Sequence, residues 1–122
     1  MLGLNLLVRL GRTFLAGPVL DLGVLPSSCY RHLALAALEE EDFPGALSSL
    51  KWADDPLLVQ VLIFRLRLLT ARHRRQAQAL GDLVQTDLSE EQRATCQDLM
   101  KEEDRALNLL NGYEARALGM LG

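Results

Sequence analysis

Residues 56–71 read PLLVQVLIFRLRLLTA, the most apolar run in the chain, and everything else is expected to be arranged around it. Wound at about 3.6 residues per turn, the run places Gln60 and Arg67 on one narrow stripe, which Arg74 extends. Arg65 stands apart between Val61 and Leu58, and nearly every other direction carries Leu, Val, Ile or Phe. A helix apolar almost all round is normally buried, so this run is expected to be the central helix of a small bundle. Arg65 and Arg67 keep it short of the ~18 uninterrupted apolar residues of a membrane span, which makes it a core helix.

Composition points the same way. At 122 residues the chain is expected to form a single helical domain over 1–122, and its 49% hydrophobic content is ample for a core. Leucine dominates, β-branched residues are sparse and aromatics reach only 5%. That mix propagates helices rather than filling strands. The expected fold class is therefore all-α, a compact bundle of about five or six short helices joined as antiparallel hairpins. A net charge of -3 argues against a general nucleic-acid binder, whose domain would be strongly basic. Cys29 and Cys96 lie in different segments and make no disulfide framework. They read as reduced, partly buried thiols in a reducing compartment, so the cytoplasm is the expected location.

Residues 1–16, MLGLNLLVRLGRTFLA, form an amphipathic pattern. Asn5, Arg9, Arg12 and Thr13 share one face, Leu4, Leu6, Leu7, Leu10 and Phe14 spread over the other, and no acidic residue precedes Asp21. Two readings stand: the first helix of the bundle, or a mitochondrial presequence. A membrane-surface helix is the weaker third, because the basic face is small. The linker GPVLDLGVLPSS, residues 17–28, is broken by Pro and Gly yet apolar enough to pack along the bundle.

Ser27 or Ser28 is expected to cap a helix from about Cys29 to Glu40 whose inner face is Leu33, Ala34, Ala37 and Leu38. Glu39, Glu40, Glu41 and Asp42 then crowd the C-terminal end, the unfavourable end for negative charge. The cluster is either a solvated turn or a docking point for a basic segment. Asp42 can cap the next helix, Phe43 to Ala53, with Pro44 in its first turn. Phe43, Ala46, Leu47, Leu50 and Ala53 recur at spacings of three and four, and Trp52 lies off that stripe as a lid on a linker or a binding anchor. Asp55 and Pro56 open the central helix.

The pattern Tyr30-x-x-Leu33-Ala34-x-x-Ala37, then Asp42-Phe43-x-x-Ala46-x-x-x-Leu50-x-x-Ala53, then Pro56, resembles one tetratricopeptide repeat over residues 30–56. The stretch ARHRRQAQALGDLV would supply the turn and helix of a poorer second copy, with Ala77 standing as Ala46 does. The resemblance implies antiparallel helices packed through small residues, in proteins that bind peptides or partner helices in a groove and catalyse nothing.

TARHRR, residues 70–75, is expected to end the central helix and turn, with Gln76 to Val84 as a shorter helix carrying Ala77, Leu80 and Val84 inward. Arg65, Arg67, Arg72, Arg74 and Arg75 put five arginines within eleven positions. No aromatic or glycine platform for nucleic-acid stacking is interleaved with them. They form either a solvated turn partly paired with Glu39 to Asp42 or a binding patch for an acidic partner helix or anionic lipid. Ser89 and Gln92 make a capping box, with Glu90 and Glu91 at the positive end of the helix dipole. The last helix is expected from Glu90 to a stop at Asn111-Gly112, leaving 113–122 as a frayed tail. Along it Cys96, Leu99, Ala106 and Leu110 follow a heptad-like spacing that Glu103 interrupts, and Met100 and Leu107 widen the apolar stripe.

Catalytic chemistry is hard to assemble from this chain. His32 and His73 are the only histidines, and Cys29 with His32 does not close a zinc site. Adding Cys96 and His73 would give four ligands, but no spacing demands it. There is no Gly-rich phosphate loop, and the carboxylates sit in exposed-looking clusters. The expectation is a protein with no metal, no cofactor and no enzymatic activity, which binds another protein and not nucleic acid. As an adaptor, scaffold or assembly factor it would hold a partner helix or acidic segment through Arg65, Arg67, Arg72, Arg74, Arg75 and Trp52. The alternative is a mitochondrial or membrane-associated assembly factor that uses residues 1–16 as address or anchor.

Overall fold

A computed structural model of the chain describes residues 25–122, so the expected helix over 1–16 and most of the linker 17–28 lie outside the described residues. Among the described residues there are four helices and no strand: α1 (Ser27–Glu39), α2 (Phe43–Ala53), α3 (Pro56–Val84) and α4 (Glu90–Leu121). Among them the all-α expectation holds, and four helices stand where five short ones are expected. Two expected breaks are absent. TARHRR continues α3 without a turn, because Ala and Arg are good helix formers and no Pro or Gly interrupts residues 57–80. Asn111-Gly112 does not stop α4 either, since neither residue takes the left-handed conformation such a stop requires. Residues beyond it, among them the wholly buried Ala117, carry the helix to Leu121, so 113–121 is not a frayed tail.

The chain divides into two compact units, whose described residues are 25–63 with 116–122 in one and 64–115 in the other.

The first unit is built on the hairpin of α1 against α2. Leu33, Ala34, Ala37 and Leu38 of α1 are buried, as are Phe43, Ala46, Leu47, Leu50 and Ala53 of α2. Four of these nine are alanine, which lets the two backbones approach closely. The start of α1 differs from expectation. Pro26 stands at its N-cap with no side-chain hydrogen bond, and Ser27 and Ser28 are already helical, so neither caps it. The amides of Cys29 and Tyr30 donate instead to the Pro26 carbonyl at 3.0 and 3.4 Å.

The turn between α1 and α2 is tied by paired backbone bonds. The Asp42 amide donates to the Ala37 carbonyl at 2.8 Å and the Glu41 amide to the Leu38 carbonyl at 3.2 Å. This Schellman arrangement needs a left-handed residue at Glu41, whose φ is 56°. The Asp42 carboxylate then accepts from the Gly45 amide at 3.1 Å and caps α2. A Cβ on Gly45 would strike that carboxylate. Asp55 repeats the device at α3, accepting from the Leu58 amide at 3.2 Å, and also holds Arg31 of α1 at 3.2 Å.

The second unit is an antiparallel hairpin of α3 from Phe64 onward and α4 up to Ala115. Three links set its direction. Arg67 Nε donates to Glu114 Oε1 at 2.6 Å, His73 Nδ1 lies 2.5 Å from Glu103 Oε2, and Arg93 donates to the Val84 carbonyl at 2.7 Å. The Arg93 guanidinium also reaches the Thr86 carbonyl at 3.4 Å, so it satisfies carbonyls at the end of α3 that the helix itself cannot. Ser89 and Gln92 form the expected reciprocal box, at 3.0 and 3.2 Å. Glu103 is no defect in the repeat: it faces His73. Of the expected stripe, Cys96, Met100, Ala106, Leu107 and Leu110 are buried or half-buried, and Leu99 alone is exposed.

Two side chains work against this packing. Glu41 occupies a left-handed position that suits glycine, and Ser49 is wholly buried with no hydrogen-bond partner for its hydroxyl. Glu41→Gly and Ser49→Ala are each expected to raise stability by about 1 kcal/mol. Urea midpoints at unchanged slope will show this, and a lower midpoint for either variant contradicts the corresponding assignment.

Candidate interaction surface

α3 carries apolar side chains in two opposite directions. Val59, Leu62, Ile63, Leu66 and Thr70 are buried, Leu62 and Leu66 completely. Thr70 is accommodated because its hydroxyl donates to the Leu66 carbonyl at 2.8 Å. Half a turn round the same helix, Leu57, Val61, Phe64 and Leu68 are exposed at 69, 39, 63 and 56%. The expectation of burial on nearly all sides is thus corrected. One face of α3 is core, and the opposite face meets solvent because nothing among the described residues covers it.

All five arginines of the expected patch lie on α3, in the second unit, and all are exposed. Seven-residue spacing brings them together in pairs. Arg65 and Arg72 run along one edge of the apolar stripe, and Arg67 and Arg74 along the other. Arg75 falls on the stripe itself, seven residues after Leu68. Arg67 is held by Glu114, while Arg72, Arg74 and Arg75 have no ion pair with a described residue.

Trp52 belongs to the first unit, on α2, and is 37% exposed. The Lys51 ammonium sits 5.1 Å from the centre of its ring, a cation–π contact that shields one side of the indole.

Two open cavities fall elsewhere. A cleft of about 330 Å³ in the first unit is lined by Leu50, Lys51, Asp54, Asp55, Pro56, Val59 and Met120. Asp55 there is already committed to the α3 cap and to Arg31. A groove of about 430 Å³ in the second unit is lined by Leu83, Leu88, Glu91, Gln92, Thr95 and the buried Cys96. Cys29 and His32 are exposed on α1. Among the described residues no group of three or more His, Cys, Asp or Glu is placed to hold a metal ion. No helix among them is long and apolar enough to cross a membrane.

No protein-family model, no curated protein and no solved structure matches this chain.

The arginines are visible in the sequence, whereas the stripe beside them is hidden among the other apolar residues of α3. Its signal is present nonetheless. Residues 57, 61, 64 and 68 are all apolar at spacings of four, three and four, and from Phe64 onward arginines separate them from the buried set on both sides. A helix apolar in two opposed directions has two faces to cover.

This division has a direct consequence for stability. Leu62→Ala is expected to cost about 2–5 kcal/mol, because it opens a cavity at a fully buried position. Phe64→Ser, one half-turn away, is expected to change stability by no more than about 0.5 kcal/mol. Thermal melts followed by circular dichroism compare the two, and similar losses for both would contradict the two-faced helix.

Proposed function

We propose that this chain is a non-enzymatic interaction module that holds a helical or acidic segment of another protein. The observation that carries this reading is the exposed row of Leu57, Val61, Phe64 and Leu68, flanked from Phe64 onward by arginines, on a helix whose opposite side is core. Soluble monomers rarely leave a contiguous row of large apolar side chains in water without a use for it. Aromatic and arginine side chains are also the types that dominate binding energy at protein interfaces. The α1–α2 hairpin supports the same class, since its alanine-rich seam resembles a single tetratricopeptide repeat and such hairpins serve as binding scaffolds.

Charge reversal tests the reading. A variant carrying Arg72→Glu, Arg74→Glu and Arg75→Glu is expected to capture its partner roughly tenfold less well, as measured by quantitative mass spectrometry of affinity-purified complexes. Its melting temperature is expected to stay where it was, because the three guanidinium groups are exposed and hold no described partner. Undiminished capture by the folded variant would refute the reading.

A further inference from the structure

We infer, building on the interaction reading above, that the exposed face of α3 receives one acidic amphipathic helix paired in the manner of a coiled coil. The spacing is the first ground. Leu57, Val61, Phe64, Leu68 and Ala71 alternate by four and three residues, the repeat that keeps one seam of a helix facing a partner helix. All five are exposed. The seam is about 21 Å long at 1.5 Å per residue, which calls for a partner helix of about four turns. Phe64 stands at its midpoint, where an anchoring aromatic contributes most. Arg75 ends the apolar seam at the next position.

Charge is the second ground, and it selects the occupant. The positions flanking such a seam decide which helix pairs with it. Here they hold Leu58, Arg65 and Arg72 on one edge and Gln60, Arg67 and Arg74 on the other, so the charge lies along the half of the seam from Phe64 onward. A second copy of this face laid parallel would set Arg65 and Arg72 against Arg67 and Arg74, so parallel self-pairing is disfavoured. A helix with Glu or Asp beside its apolar stripe meets the exposed guanidinium groups of Arg72 and Arg74, one on each edge, and guanidinium is the side-chain group suited to pairing with a carboxylate. Arg67 is already engaged by the Glu114 carboxylate at 2.6 Å, which leaves Arg72 and Arg74, one on each edge, without an ion pair to a described residue.

The test uses the full chain and two synthetic helical peptides of about four turns. Both carry Leu at the seam positions; one has Glu on its flanks and the other Lys. Fluorescence anisotropy is expected to show binding of the Glu peptide, weakening as salt is raised, and little binding of the Lys peptide. Phe64→Ser is expected to weaken the Glu peptide about thirtyfold, the ratio for loss of a strong interface anchor. Leu68→Ser repeats the test at a second exposed position, with helicity by circular dichroism as the check on folding. Equal affinity for the two peptides, or none for the Glu peptide, overturns the inference. So does a dimer in sedimentation that Phe64→Ser disperses, or a peptide of residues 1–16 that binds in place of the acidic one. These failures leave the broader interaction reading standing so long as partner capture still depends on Arg72, Arg74 and Arg75.

Discussion

Leu62 and Leu66 are wholly withdrawn from water on one side of α3, and that single commitment fixes what the other side of the helix must do. Side chains on an α-helix advance by about 100° per residue, so residues 57, 61, 64 and 68 cannot share the burial of 59, 62, 63 and 66. With the first set 39–69% exposed, the helix forgoes roughly half of the 1.5–3 kcal/mol that full burial of each such side chain contributes. The total is on the order of the free energy lost when two molecules associate. The stripe by itself would therefore support only weak and indiscriminate contact. The arginines along its edges change both features. They keep the bare face soluble, and they make its attraction depend on the charge of whatever approaches.

The two units solve the packing problem differently. In the first, alanines at 34, 37, 46 and 53 let two short helices approach closely, and caps at Asp42 and Asp55 fix where each helix begins. The second has only two helices, and few of its side chains are fully buried: Leu66, Thr70, Cys96 and Leu110. Its register depends on specific pairs instead. His73 against Glu103 is a polar pair inside the seam, and such pairs specify alignment where apolar residues tolerate a slip. Arg93 closes the loop end by occupying carbonyls at the terminus of α3. A seam with so little buried apolar surface is expected to open locally at low cost.

Much of this was legible in the sequence because it is local. The inward faces of α1 and α2, the caps at Asp42 and Asp55 and the box at Ser89 and Gln92 follow from spacing and hydrogen-bond chemistry within a few residues. The misreadings share a cause. Asn111-Gly112 is a good stop signal, and TARHRR is polar enough to read as a turn. Each is overridden because helix on both sides continues into buried positions, such as Ala117 beyond the first and Leu66 before the second. Ser27 and Ser28 offered caps, yet Pro26 already presents a carbonyl to the first turn. The arginine cluster was recognised as a patch. Its organisation into two edges with an apolar stripe between them required knowing which side of α3 is core, and periodicity cannot choose between two apolar faces.

The most direct measurement is hydroxyl-radical footprinting of the isolated full chain, read residue by residue along α3 by mass spectrometry. A helix with one buried and one open face predicts strong labelling at Phe64, Leu57 and Leu68 and protection at Leu62 and Leu66, at concentrations where the chain is monomeric. Protection of Phe64 to the level of Leu62 under those conditions would mean that the face is already covered, and would contradict the surface on which the proposed binding depends.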